Sequence, residues 1–130
     1  MVRCVIANES RIVRHIIRRV VERRGFDVVE TCDGPEVIDV CQQSVPHLLC
    51  LDESLPDLDG IAVMRLLRAE NPTQPLPPTL FTFIENDGSL LTRALAAGAG
   101  ELVQKPFTAR QLDDAIGRLT IKNPGQSPDF

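Results

Sequence analysis

The sequence predicts an α/β fold in which a five-stranded parallel sheet is covered by helices on both faces. Short apolar runs rich in β-branched residues recur along the chain, as buried strands do. Between them lie segments whose apolar residues return at three- and four-residue steps, in strict alternation with the strands. Successive parallel strands need a crossover, and a helix supplies it. Size agrees, since 130 residues make about one domain with a real core.

The first strand is Arg3–Ala7, apolar and β-branched. Ile12, Val13, Ile16, Ile17, Val20 and Val21 then recur at helical spacing, with Ser10 as N-cap and Gly25 as the stop. Asp27–Thr31 is the second strand, and Asp33-Gly34-Pro35 reads as a turn. The second helix runs from Glu36 to Gln43 through Val37, Val40 and Cys41. His47–Asp52 is the central strand, apolar until it meets an aspartate. A helix from about Ile61 to Ala69 follows, and the four prolines between Asn71 and Pro78 require an extended loop. Thr79–Ile84 is the fourth strand, and the Ala/Leu-rich helix after it is stopped by Gly98. Glu101–Gln104 is the fifth, and Thr108 caps a last helix reaching about Leu119. Residues 1–122 form the expected domain, and the Pro/Gly/Ser-rich residues 123–130 a flexible tail or cut linker.

Charge is uneven. Before Gly25, seven arginines against two glutamates give +5; after it, seven basic against 16 acidic residues give −9. With a pI near 5.1 overall, direct nucleic-acid binding is not expected. No apolar stretch is long enough to span a membrane and no basic-then-apolar leader opens the chain, so a cytoplasmic protein is expected. Cys4, Cys32, Cys41 and Cys50 form no C-x-x-C pair and read as free, mostly buried thiols. Neither His15 nor His47 has a second histidine at metal-ligand spacing.

In open α/β sheets ligands bind outside the carboxyl ends of the strands, at the switch in strand order. With the flavodoxin-like order 2-1-3-4-5, a doubly wound three-layer sandwich, that edge collects Asn8 and Glu9, Asp52, Thr82 and Lys105. Two carboxylates on neighbouring strand ends repel unless a positive group lies between them, and magnesium fits, since it takes one or two carboxylates and keeps waters. Lys105 adds a point charge and Thr82 a hydroxyl. Together they make a site for placing phosphate on a carboxylate.

These residues resemble a known family. Leu48–Arg68, "LLCLDESLPDLDGIAVMRLLR", resembles the phosphoacceptor segment of bacterial response-regulator receiver domains of two-component systems, single-domain and chemotaxis-regulator-like in form. "SRIVRHIIRRVVERRGFDVVETCDG" resembles that family's first helix and second strand, and "ALAAGAGELVQKPF" its last-strand block. The resemblance implies that Asp52 accepts a phosphoryl group from a sensor histidine kinase or histidine phosphotransfer protein. Glu9, Asp52 and the Ser54 backbone carbonyl would bind Mg2+, Lys105 would contact the phosphate, and the Lys105–Pro106 bond can be cis. The chain would then be a phosphoprotein rather than a classical enzyme, limited to self-phosphorylation from a donor and slow loss of phosphate.

Three departures stand out. The family's paired acids after the first strand are here Asn8 and Glu9, so Asn8 is expected to bind metal weakly or through water. Counting from Asp52 places the phosphate-binding hydroxyl at Thr82, while counting back from Gly98 lands on Phe83, which has no donor. Thr82 is the better reading, and Phe83 would then be a bulky neighbour narrowing access to Asp52. Leu102 holds the position of the family's aromatic switch. These departures motivate an alternative, a pseudo-receiver interaction module with little phosphorylation. A small flavin-binding protein of like topology is disfavoured, because no phosphate-cradling Ser/Thr/Gly loop follows the first strand. Arg11, Arg14 and Arg18 share one flank of the first helix and are expected to steer an acidic phosphodonor.

Overall fold

The computed structural model describes residues 2–85 and 87–122. Strands β1 (Arg3–Ala7), β2 (Asp27–Thr31), β3 (Leu48–Asp52), β4 (Thr79–Phe83) and β5 (Glu101–Gln104) alternate with helices α1 (Arg11–Arg23), α2 (Gly34–Gln43), α3 (Gly60–Glu70), α4 (Gly88–Ala97) and α5 (Ala109–Lys122). The strands pair in parallel in the order β2-β1-β3-β4-β5. The expected tail, residues 123–130, lies outside the described residues.

Strand alternation sorts the core into two layers. Cys4 and Ile6 of β1, Leu48 and Cys50 of β3, Leu80 of β4 and Val103 of β5 join the α1–α5 layer, with Ile17, Val21, Leu112 and Ile116. Val5, Ala7, Leu49, Leu51, Phe81 and Phe83 join the opposite layer, with Val37 of α2, Met64 of α3 and Ala94 of α4. Both faces of β3 and β4 are therefore covered, which is why those strands read as unbroken apolar runs.

Each helix opens on a side chain that accepts from its first turn. The Ser10 hydroxyl accepts the Val13 N–H, Asp33 that of Glu36, Asp59 that of Ala62, Asp87 that of Leu90, and Thr108 that of Gln111. The Gln111 side chain returns a bond to the Thr108 N–H, completing a capping box. Gly25 and Gly98 follow α1 and α4 with φ of +89° and +120°, a region open to glycine.

Four boundaries differ from expectation. Asp33-Gly34-Pro35 does not make a separate turn, because Gly34 and Pro35 are the first residues of α2, where a missing N–H costs nothing. His47 precedes β3, and its Nδ1 accepts the Arg3 N–H at 3.1 Å. Ile84 lies beyond β4 and is exposed. Helix α5 continues to Lys122. Cys4, Cys41 and Cys50 are buried and Cys32 is exposed; all are free thiols. Burial pushes the Cys41 thiol up to about 11 and the Cys4 thiol well above its ordinary value, so both stay protonated.

Candidate functional site

Asp52 is the last residue of β3 and is only 3% exposed. A buried carboxylate is costly unless donors surround it, and here three do. The Thr82 hydroxyl donates to Oδ1 at 2.6 Å, the Lys105 Nζ lies 2.7 Å from the same oxygen, and the Ser54 N–H donates to Oδ2 at 3.1 Å. Register explains the first contact, since Asp52 and Thr82 are partners across β3 and β4. Lys105 follows β5, where its N–H extends the ladder to the Phe83 carbonyl at 2.7 Å, and its bond to Pro106 is cis.

The loop after Asp52 is folded tightly back. The Glu53 N–H donates to the Thr82 carbonyl, and the Gly60 N–H to the Glu53 carbonyl. A Cβ on Gly60 would lie 2.5 Å from the Asp52 carbonyl oxygen and 2.9 Å from the Phe81 ring, so only glycine lets α3 start this close to the site. Asp57 takes φ 70°, the left-handed position of the loop, and Asp59 caps α3. Both acids therefore have structural tasks. Glu53 lies at the rim, where burial foremost, with the Asp52 and Asp59 charges behind it, raises its carboxyl above the ordinary range; the Ser54 hydroxyl and Lys105 act the other way.

Asn8 and Glu9 leave β1 beside this carboxylate. Ala7 is registered against Leu51, so Asn8 stands one step further on, level with Asp52. Asn8 is 2% exposed, whereas Glu9 is exposed. The Asn8 Oδ1 accepts the Ser10 N–H at 2.8 Å, while its Nδ2 has no partner. Of the oxygen donors expected for a metal, the Asn8 side chain is thus engaged elsewhere. Glu9, the Asp52 carboxylate and the Ser54 carbonyl remain as hard oxygen donors, a set that suits magnesium in kind because that ion needs few protein ligands. Among the described residues no cluster of three or more His, Cys, Asp or Glu side chains could hold a metal.

Two expectations about the surroundings change. Phe83 does not narrow the approach to Asp52 from the Thr82 side, because alternation turns it into the opposite layer, where it is buried in the cluster containing Leu90 and Ala94. Leu102 is half-buried against that same cluster. Nor do Arg14 and Arg18 stand as free members of a basic flank on α1. The Arg14 Nε lies 3.0 Å from Glu30 on β2, and its Nη1 donates to the carbonyls of Asn8 at 2.7 Å and Glu9 at 3.2 Å. Arg18 pairs with Glu30 at 2.6 Å and Glu22 at 3.2 Å, and Arg24 pairs with Asp113 of α5 at 2.6 Å. Sequence reasoning missed Arg14 as the residue that ties the Asn8–Glu9 loop to α1. An arginine one turn into the helix that leaves that loop was the available signal.

Beside Lys105 the surface is apolar instead. Val13 and Ile16 of α1, Ile84, Lys105, Pro106 and Phe107 line a groove of about 320 Å3.

Comparison with known proteins agrees with this geometry. A family model described as the response regulator receiver domain matches residues 4–117. The chain is 35% identical over 107 residues to the "Probable transcriptional regulator ycf27" of Cyanophora paradoxa, covering 79% of this chain and 43% of that protein. It is 30% identical over 129 residues to "Response regulator MprA" of Mycobacterium sp. (strain KMS), covering 98% of this chain and 55% of that one. It thus spans about half the length of the curated relatives it matches. Among solved structures, the Francisella response regulator 1452 receiver domain superposes with a TM-score of 0.82 at 20% identity, over 95% of this chain and 99% of that one. The Vibrio cholerae chemotaxis protein CheY4 gives 0.82 at 20% identity, over 92% and 98%. At such identity these two speak for the fold.

Proposed function

The chain belongs to the response regulator receiver domain family, the receiving module of two-component signalling, and we propose that its phosphoacceptor is Asp52. One observation carries the reading: a buried carboxylate at a strand end, held by a lysine at 2.7 Å and a threonine hydroxyl at 2.6 Å. The donor is a phosphohistidine of a sensor kinase or phosphotransfer protein. An Asp52 carboxylate oxygen attacks phosphorus, the bond from phosphorus to the imidazole nitrogen breaks, and the nitrogen leaves with the electron pair. Oδ2 is the freer nucleophile, since Oδ1 already receives both Lys105 and Thr82. Lys105 and Thr82 then meet the new phosphoryl oxygens, where positive charge and a hydroxyl donor are both favourable.

Glu9, Asp52 and the Ser54 carbonyl would hold magnesium, which when bound offsets the phosphoryl charge. The apolar groove of Val13, Ile16, Ile84, Pro106 and Phe107 opens beside Lys105 and suits the face of the protein donor. This replaces the arginine flank as the docking surface. The phosphorylation-silent alternative loses the support of Phe83, which packs with the layer away from the Asp52 side chain.

Intact mass after incubation with a small-molecule phosphodonor and magnesium tests the proposal. Wild type gains one phosphoryl group, Asp57→Asn and Asp59→Asn gain it too, and Asp52→Asn does not. Labelling that survives in Asp52→Asn would refute the assignment.

A further inference from the structure

We infer that the Asn8 side-chain amide is a hydrogen-bond donor to the phosphoryl oxygens carried by Asp52, and that it supplies part of the compensation a metal gives. The inference rests on the phosphoacceptor reading of Asp52. Its starting point is an unpaired donor. Asn8 is 2% exposed, and its Nδ2 has no partner although a buried polar group seldom goes without one. The orientation of the amide follows from chemistry. The Ser10 N–H can donate only to the oxygen, and at 2.8 Å it does. Turning the amide over would set donor against donor. The NH2 group must therefore face the other way.

Strand alternation says where that is. Ile6 and Cys50 lie in the α1–α5 layer, Ala7 and Leu51 in the opposite one, so Asn8 and Asp52 both return to the α1–α5 side on adjacent strand ends. The Asn8 N–H still bonds the Thr31 carbonyl at 3.2 Å, which keeps the residue extended and the alternation valid. Asn8, Asp52 and Thr82 thus form a rung of buried polar side chains across three strands. Thr82 within the rung and Lys105 beside it already engage Asp52. The remaining donor waits for an acceptor beyond Asp52 itself, and an oxyanion attached there is the chemical class that fits. Charge points the same way. An amide in place of a carboxylate leaves the pocket one unit less negative, so an incoming phosphoryl group is repelled less with no metal present.

The probe is beryllofluoride, a phosphoryl analogue, titrated into the full chain and followed by fluorine NMR, with magnesium or with a chelator. Wild type binds in both conditions, with only a modest loss in chelator. Asn8→Asp keeps the oxygen that accepts the Ser10 N–H and loses the donor; it binds at least about tenfold more weakly in chelator, and magnesium closes the gap. In wild type the Asn8 side-chain amide protons also move downfield on binding, a readout that needs no variant. Equal affinity of wild type and Asn8→Asp in chelator, loss of all wild-type binding without magnesium, or unmoved amide protons would each overturn the inference. Beryllofluoride that binds Asp52→Asn as tightly as wild type would instead overturn the assignment of Asp52 beneath it.

Discussion

Replacing Arg14 by alanine is expected to destabilise the fold and slow phosphorylation from every donor. The guanidinium holds three oxygens at once: the carbonyls of Asn8 and Glu9 and the Glu30 carboxylate. Its side chain is only 15% exposed, although of the three bonds only that to the Asn8 carbonyl is partly buried. A charged donor on a carbonyl contributes about 1.5–3 kcal/mol when buried; at this loop water recovers part of that, leaving roughly 1 kcal/mol for each carbonyl. The Glu30 carboxylate is 30% exposed and keeps Arg18, so losing Arg14 there costs at most about 0.5 kcal/mol. The total is about 2 kcal/mol, or a fall in Tm of roughly 6–10 °C for a domain of this size.

The loop so released carries Asn8 and Glu9, so labelling by a small-molecule donor slows along with transfer from a protein donor. Denaturant unfolding of Arg14→Ala against Arg19→Ala, an exposed position on the same helix, measures the first effect. Mass-resolved labelling measures the second. An Arg14→Ala protein within about 0.5 kcal/mol of Arg19→Ala, or one that slows only protein-donor transfer, would refute the clamp and restore the docking reading.

Ile16→Glu places a charge in the apolar groove and is expected to slow transfer from a protein donor while sparing the small donor; equal slowing of both would argue against the groove as a docking face. Asp57→Gly relieves a left-handed residue and exceeds Asp57→Ala in stability by about 1 kcal/mol, read by denaturant unfolding, with Asp52 labelling retained in both. The hydrogen bond from Arg18 foremost, aided by Arg14, holds the Glu30 carboxyl below its usual range. Its stabilising effect is therefore complete above the unfolded carboxyl pKa of about 4.3 and lost as pH falls below that through the lower folded value. Urea unfolding of wild type and Glu30→Gln should accordingly differ at neutral pH and converge in acid. Asn8→Asp adds a carboxylate and should tighten magnesium in a titration; weaker binding would contradict the charge argument.

Where the sequence was legible, each side chain had one dominant demand. The runs Arg3–Ala7, Asp27–Thr31 and Glu101–Gln104 match β1 and the edge strands β2 and β5 to the residue, because turn and capping signals bound each run on both sides. Asp52, Thr82 and Lys105 could be gathered from strand order alone, since all three sit at strand ends and the order fixes which ends meet. Gly34 and Pro35 were harder, because the turn residues of a loop are also the residues a helix accepts in its first turn, and the Asp33 side chain decided between them. Ile84 looked like a strand residue by composition, but β4 pairs with β5 only as far as Phe83.

The least legible features were those in which one residue type serves two purposes. Arg14 and Arg11 look alike on a helical wheel, yet one holds the backbone of the Asn8–Glu9 loop and the other is exposed. The difference arises from Glu30, which sits on a strand sixteen residues beyond Arg14 and draws its guanidinium across the edge of the sheet. Asn8 raises the same problem at the level of a single side chain. As a letter it reads as an aspartate with its charge removed, and so as a weaker metal ligand. The Ser10 N–H commits its oxygen and turns its NH2 the other way, and the residue becomes a donor in a pocket where the loss of a negative charge is itself an advantage for an anion. Composition can count that charge, but only the capping geometry of α1 says which end of the amide the pocket receives.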